Sequence, residues 1–201
     1  MADERLVHIV DDDEDFRESL SALLAQAGFS TVSYDGAASV LEQVPLLTTG
    51  CMLLDVYLPG MNGLELQARL IELNVGLPII VMTGHGDITT AVRAMKAGAA
   101  DFIEKPFDDK PLLAAIEAAL GYAARERSIA EAATVVATLS PRERDVLDGI
   151  LAGRPNKIIA FDLGISPRTV EVHRARMLER LGVRNIAGAI RLAVMAGLAS
   201  S

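Results

Sequence analysis

The chain of 201 residues has a single cysteine, Cys51. It falls inside an apolar run, which reads as a buried, inert thiol and not as a redox or metal-binding group. The three histidines, His8, His85 and His173, are scattered without metal-ligand spacing. His8 is expected to face a helix from the first strand, His85 to line the loop after Thr83, and His173 to belong to a different domain. No apolar run reaches transmembrane length; the most apolar late segment, 187–199, is short and broken by Arg191. Met1-Ala2-Asp3-Glu4 has no basic stretch, so no secretory signal is expected, and the expected location is the cytoplasm. Thr83-Gly84-His85-Gly86-Asp87 is rich in glycine but lacks the Lys-Ser/Thr ending of a phosphate-binding loop, which argues against a nucleotide site.

What is present is an apolar fraction of 51%, enough for a sizeable core, with an ordinary charged fraction of 23%. The length allows one large domain or two small ones. Charge divides them. Residues 1–122 hold 7 Lys+Arg against 19 Asp+Glu, net −12, whereas residues 123–201 hold 12 against 8, net +4. The whole chain is acidic, but its C-terminal part keeps the positive excess that nucleic acid requires. Two domains with different partners follow.

The N-terminal part alternates strands and helices. Leu6 to Val10 is an apolar strand that runs into Asp11-Asp12-Asp13-Glu14-Asp15. Phe16, Leu20, Leu23 and Leu24 recur at helical spacing, and Gly28 closes that helix. Thr31 to Tyr34 is a short strand, and Ala37 to Gln43 a helix. Cys51 to Asp55 reads as a strand buried on both faces, broken at Leu58-Pro59-Gly60. A helix over Leu64 to Leu73, a strand over Ile79 to Met82 and a helix over Ile88 to Ala97 follow. Asp101 to Glu104 is the fifth strand, and the last helix runs from about Lys110 towards Arg127. This alternation predicts an α/β fold: a doubly wound, five-stranded parallel sheet with helices on both faces.

In a parallel sheet the C-terminal strand ends share one edge, where open α/β sheets bind ligands. Here they deliver Asp11 and Asp12, Asp55, Thr83 and Lys105. Taken singly, Asp55 reads as a solvated loop carboxylate, and Thr83 or Lys105 as an ordinary loop residue. Together they put three carboxylates, a hydroxyl and an ammonium in one cleft. Crowded carboxylates repel unless a cation separates them, and all-oxygen ligands suit Mg²⁺.

With these positions, residues 1–122 resemble the receiver domain of two-component response regulators. The resemblance implies a flavodoxin-like fold in which Asp55 is the phospho-acceptor, assisted by Thr83 and Lys105. It implies that Asp11, Asp12, Asp55 and the backbone carbonyl of Tyr57 hold Mg²⁺. Thr83 would bond a phosphoryl oxygen, and Lys105 would pair with the phosphate or with Asp55. Thr83 and Phe102 take the switch positions, and a cis bond is implied at Lys105-Pro106. A competing reading is an aspartyl-phosphate phosphatase. Those enzymes carry a second aspartate two residues after the nucleophile, where this chain has Tyr57. A constitutive DNA-binding protein with an inactive receiver is disfavoured by the complete set of acidic residues, Thr83 and Lys105.

Residues 123–138 are rich in Ala and Glu/Arg and lack Gly and Pro, which predicts a helical linker. Ser140, Pro141 and Glu143 form a capping box at the start of a new helix, with Val146, Leu147 and Ile150 on one face. Asn156 to Leu163, a break at Gly164-Ile165, and a second helix capped by Ser166 make a helix-turn-helix. Val170, Met177, Leu178 and Leu181 mark the buried stripe of that second helix.

Leu139-Ser140-Pro141-Arg142-Glu143, Asn156-Lys157-Ile158-Ile159-Ala160 and the run from Ser166 to His173 resemble the LuxR-type helix-turn-helix domain, here residues 139–201. A solvated amphipathic helix would share the pattern, but the excess of Arg favours DNA. Candidate contacts are Lys157, Arg168, Thr169, Glu171, Val172, His173, Arg174, Ala175 and Arg176. Both halves together resemble the NarL/FixJ family of response regulators, with wording closest to FixJ members. The resemblance implies a cognate histidine kinase, promoter DNA, RNA polymerase and a homodimer formed on phosphorylation as partners, with no membrane. It also implies a phosphorylation-activated transcriptional regulator and not an enzyme, although the receiver would assist its own phosphorylation and dephosphorylation. A final helix over about Ile186 to Ala196 can dimerise the DNA-binding domain.

Overall fold

β-branched and aliphatic residues dominate each short apolar run, and the runs form strands. A computed structural model describes residues 5–84 and 88–198. The order is β1 (Leu6–Val10), α1 (Glu14–Gln26), β2 (Ser30–Tyr34), α2 (Ala37–Glu42), β3 (Cys51–Asp55), α3 (Gly63–Glu72), β4 (Ile79–Thr83), α4 (Ile88–Lys96), β5 (Asp101–Glu104) and α5 (Asp109–Ala137). Four further helices follow: α6 (Pro141–Leu151), α7 (Asn156–Leu163), α8 (Pro167–Arg180) and α9 (Ile186–Met195). The chain divides into two units, Met1–Ala124 and Arg125–Ser201. His85, Gly86 and Asp87, expected to line the loop after Thr83, lie outside the described residues.

In the first unit all strands are parallel, in the order β2-β1-β3-β4-β5. Side chains alternate between the faces of a strand. Val10, Met52, Leu54 and Val81 therefore pack with Val40 of α2, Leu66 and Leu70 of α3, and Ala94 of α4. Val7, Ile9, Leu53, Ile80 and Met82 pack on the other side with Leu20 and Leu24 of α1 and Leu112 and Ile116 of α5. Every residue of β3 and β4 is buried, as central strands covered on both faces require. Cys51 is buried in this core, and loss of water pushes its thiol up to about 12.

His8 has different partners from those expected. It is buried in β1, but its ring nitrogens lie 3.1 Å from the Tyr34 hydroxyl of β2 and 3.1 Å from the Thr49 carbonyl before β3. The carbonyl can only accept, so Nε2 carries the proton and Nδ1 takes the tyrosine O–H. Burial lowers its basicity, opposed by the bond to Thr49.

In the second unit the core joins Val136 to Leu147, Met177, Leu181, Ala189 and Ala193. A smaller cluster of Val146, Ile159, Ala160 and Val170 joins α6, α7 and α8. Gly149 of α6 lies so close to Ile159 that a Cβ would come within 2.8 Å of its side chain. Among the described residues no helix is long and apolar enough to cross a membrane.

Candidate functional site

The site of the first unit is built by four strand ends, those of β1, β3, β4 and β5. Asp11 follows β1, and its backbone N–H donates to Tyr34 at 3.2 Å, which extends the ladder and buries the side chain. Its Oδ1 accepts from the Asp13 N–H at 3.0 Å, and its Oδ2 receives Lys105 Nζ at 2.6 Å. Asp55 is the last residue of β3 and only 6% exposed. Its Oδ1 lies 3.3 Å from Lys105 Nζ, yet among the described residues this buried oxygen accepts no hydrogen bond. Burial raises the pKa of the Asp55 carboxyl; Lys105 opposes that rise and the charge of Asp11 adds to it. Asp12 is exposed beside the pair.

Oxygens of Asp11, Asp12 and Asp55 all lie within 4.8 Å of one another. Three hard carboxylates, one with a buried oxygen that accepts no hydrogen bond among the described residues, fit a divalent cation such as Mg²⁺. Lys105 is held by its backbone N–H, which donates to Thr83 O at 2.7 Å, and by the Phe16 ring, whose centroid lies 4.1 Å from Nζ. The Lys105-Pro106 peptide is cis.

Thr83, the last residue of β4, is fully buried, and Phe102 of β5 is half-buried. Phe102 pairs with Val81, two residues before Thr83, so alternation puts Thr83 and Phe102 on the same sheet face. Tyr57 is 55% exposed and lines a cleft with Asp12, Leu58, Pro59 and Asn62. Gly63 was missed by the sequence reading. It starts α3 behind an Asn62–Glu65 capping box, and its N–H donates to Val56 O at 2.9 Å. A Cβ there would collide with the carbonyl oxygen of Asp55. Its one sequence signal is a glycine at a helix start just past the acceptor strand.

In the second unit, Gly164 ends α7 in the left-handed conformation at φ 66°, and Ser166 caps α8 by accepting from the Thr169 N–H. Val170, Met177 and Leu181 are buried, and Leu178 is partly so. Arg168, Glu171, Val172, Ala175 and Arg176 form the exposed face, and Lys157 is exposed on α7. Thr169 is half-buried, with its hydroxyl 2.8 Å from that of Ser166. His173 and Arg174 are half-buried, on opposite flanks of the buried stripe. Arg174 donates to Asn156 Oδ1 at 2.5 Å.

Glu143, a buried carboxylate of α6, accepts from the Ser140 N–H at 2.9 Å and pairs with Arg180 at 3.1 Å. Burial alone would raise the Glu143 carboxyl. The Ser140 hydrogen bonds, then the charges of Arg180 and His173, outweigh it and hold the pKa below the ordinary value.

Comparison with known proteins places each unit in a family. Residues 7–117 match the response regulator receiver domain, and residues 137–193 match the bacterial regulatory proteins of the luxR family. The chain is 46% identical over 197 residues to the transcriptional regulatory protein FixJ of Azorhizobium caulinodans, covering 96% of this chain and 93% of that one. It is 45% identical to FixJ of Rhizobium meliloti, covering 97% and 98%. The chain belongs to the NarL/FixJ family of response regulators.

This regulator also resembles solved full-length members. Full-length FixJ from B. japonicum matches at 44% identity with a TM-score of 0.61, covering 96% and 97% of the two chains. The response regulator StyR matches at 42% identity with a TM-score of 0.72, covering 94% and 98%. A NarL/FixJ regulator couples a receiver, which takes its phosphate from a histidine kinase, to a DNA-binding unit that controls transcription. The named relatives are transcriptional regulatory proteins.

Proposed function

We infer that Asp55 is the phospho-acceptor. The buried Asp55 Oδ1, which accepts no hydrogen bond among the described residues and lies 3.3 Å from the Lys105 ammonium, supports this best. A carboxylate oxygen of Asp55 attacks phosphorus of a kinase phosphohistidine; the new O–P bond forms as the P–N bond breaks, and the imidazole leaves with a proton. Asp11, Asp12, Asp55 and the Tyr57 carbonyl would hold Mg²⁺, which when bound offsets phosphoryl charge. Lys105 supplies positive charge to the phosphoryl group, and the Thr83 hydroxyl bonds one of its oxygens. The receiver thus assists its own phosphorylation and dephosphorylation and turns over no separate substrate.

Thr83 drawn towards the phosphoryl group vacates space into which Phe102 follows, and the altered face formed by α4, β5 and α5 pairs two chains. The division we propose is receiver 1–122, helical linker 123–138 and DNA-binding domain 139–201, although α5 itself continues to Ala137. The dimer binds promoter DNA through α8, contacts RNA polymerase and works in the cytoplasm. Glu171 accepts from a cytosine amino group and Val172 touches a thymine methyl; Lys157 and Arg176 contact the backbone. Arg168, at the start of α8, is within the same reading face. Purified chain treated with acetyl phosphate and Mg²⁺ is expected to label at Asp55, gain mass in solution to a dimer and bind DNA more tightly. Labelling without any change in mass or DNA affinity would overturn the coupling.

A further inference from the structure

The hydrogen bond between Arg174 and Asn156 separates Arg174 from the exposed face of α8. An arginine has donors and no acceptor, so Asn156 must present its side-chain oxygen, and the bond is assisted by the guanidinium charge. At 2.5 Å it joins the first residue of α7 to the middle of α8. Bidentate recognition of a guanine edge needs two parallel N–H groups of one guanidinium aimed into the groove. Here one Nη1 proton is committed to α7; the other N–H groups stay available, but the half-buried side chain is drawn away from the exposed face of α8. In a helix-turn-helix the first helix crosses the phosphate backbone while the second enters the groove. A guanidinium tied to the start of α7 is therefore held on the backbone side.

We propose that Asn156 is a positioning residue that fixes Arg174 as a phosphate contact and leaves sequence reading to the exposed face that carries Glu171 and Val172. The inference rests on the reading that α8 enters the major groove. It narrows the role of Arg174 from a candidate DNA contact to a sequence-neutral clamp, and it gives Asn156 a part in affinity without a DNA contact of its own.

The test is a double-mutant cycle in the full chain, phosphorylated with acetyl phosphate and Mg²⁺. The probes are duplex DNA selected by the wild-type chain from a randomised pool and an unrelated duplex. Arg174→Ala should weaken both complexes by about ten-fold and lower the salt slope by about one, with the selected motif unchanged. Asn156→Ala should cost several-fold when Arg174 is present and nothing when it is absent, and Asn156→Asp, which keeps the acceptor, should restore binding. Arg174→Gln repeats the cycle should the alanine variant not fold. Equal cost of Asn156→Ala in both backgrounds overturns the clamp, as does a motif that changes at one position in Arg174→Ala. A wild-type chain that selects no motif overturns the groove reading and the clamp with it.

Discussion

Lys105 makes its shortest ion pair with Asp11, at 2.6 Å, and stands 3.3 Å from Asp55. Resemblance alone pointed to Asp55 or its phosphate as the partner. The ammonium is thus anchored on the carboxylate of β1, and the acceptor oxygen of Asp55 keeps no hydrogen bond among the described residues. The ammonium, shared between the two carboxylates, already stands beside the acceptor oxygen where phosphoryl charge would arrive.

Asp55→Asn should abolish phosphorylation by acetyl phosphate and leave the fold intact, because the amide keeps the shape and loses the nucleophilic oxygen. It should also stabilise the receiver at neutral pH in the absence of Mg²⁺. The folded pKa of Asp55 is raised, so the folded state binds the proton more readily than the unfolded state. Stability is then lost as the carboxyl ionises, and the amide escapes that loss. A thermal melt at pH 7 with EDTA measures it; a lower midpoint for the variant would contradict a burial cost on the ionised Asp55.

Mg²⁺ should raise the melting temperature of the wild-type receiver transition, by an amount that grows with the logarithm of its concentration above Kd. Asp12 is exposed, so Asp12→Ala should leave the metal-free melt within about 0.5 kcal/mol of wild type. The same variant should blunt the Mg²⁺ response and slow phosphorylation. Undiminished labelling in excess EDTA would show that these carboxylates hold no catalytic metal.

Gly63→Ala tests the contact between α3 and the acceptor strand. The added methyl meets the Asp55 carbonyl, so backbone must move. A stability loss of roughly 1–3 kcal/mol is expected, with slower labelling because the acceptor itself is displaced. Unchanged labelling kinetics in a folded variant would mean that Asp55 tolerates the shift.

Glu143 predicts acid sensitivity of the second unit. Its folded pKa is lowered, so its contribution is present above the unfolded value of about 4.3 and lost as pH falls through the folded one. Urea melts of Glu143→Gln should show about 1–2 kcal/mol less stability at pH 7, the Arg180 side being half exposed. The difference should shrink below pH 4.

Lys157→Ala and Glu171→Ala should separate affinity from specificity. The first should weaken binding to all sequences and flatten the salt dependence by about one unit of slope. The second should relax preference at one position per half-site, at roughly 1–3 kcal/mol of discrimination. A binding-site selection that returns the wild-type motif from Glu171→Ala would remove this face of α8 from the reading surface.

The sequence by itself determined the elements and the identity of the acidic pocket. Strand periodicity, the Ser140–Glu143 and Ser166 caps and the order of strand ends depend on residues a few positions apart, and local chemistry reads at that range. A parallel sheet then places Asp11, Asp55, Thr83 and Lys105 on one edge whatever their separation. Tertiary structure decided which of these groups touch. Lys105 and Asp11 are 94 residues apart, and their pairing depends on how β1 and β5 are set about β3 and β4. Likewise His8 took Tyr34 and Thr49 as partners instead of a helix, Gly63 came against the Asp55 carbonyl, and Arg174 turned to Asn156. Hydrogen bonds and close contacts act over about 3 Å, so a residue's partner is set by packing of the whole unit, which periodicity and caps do not encode.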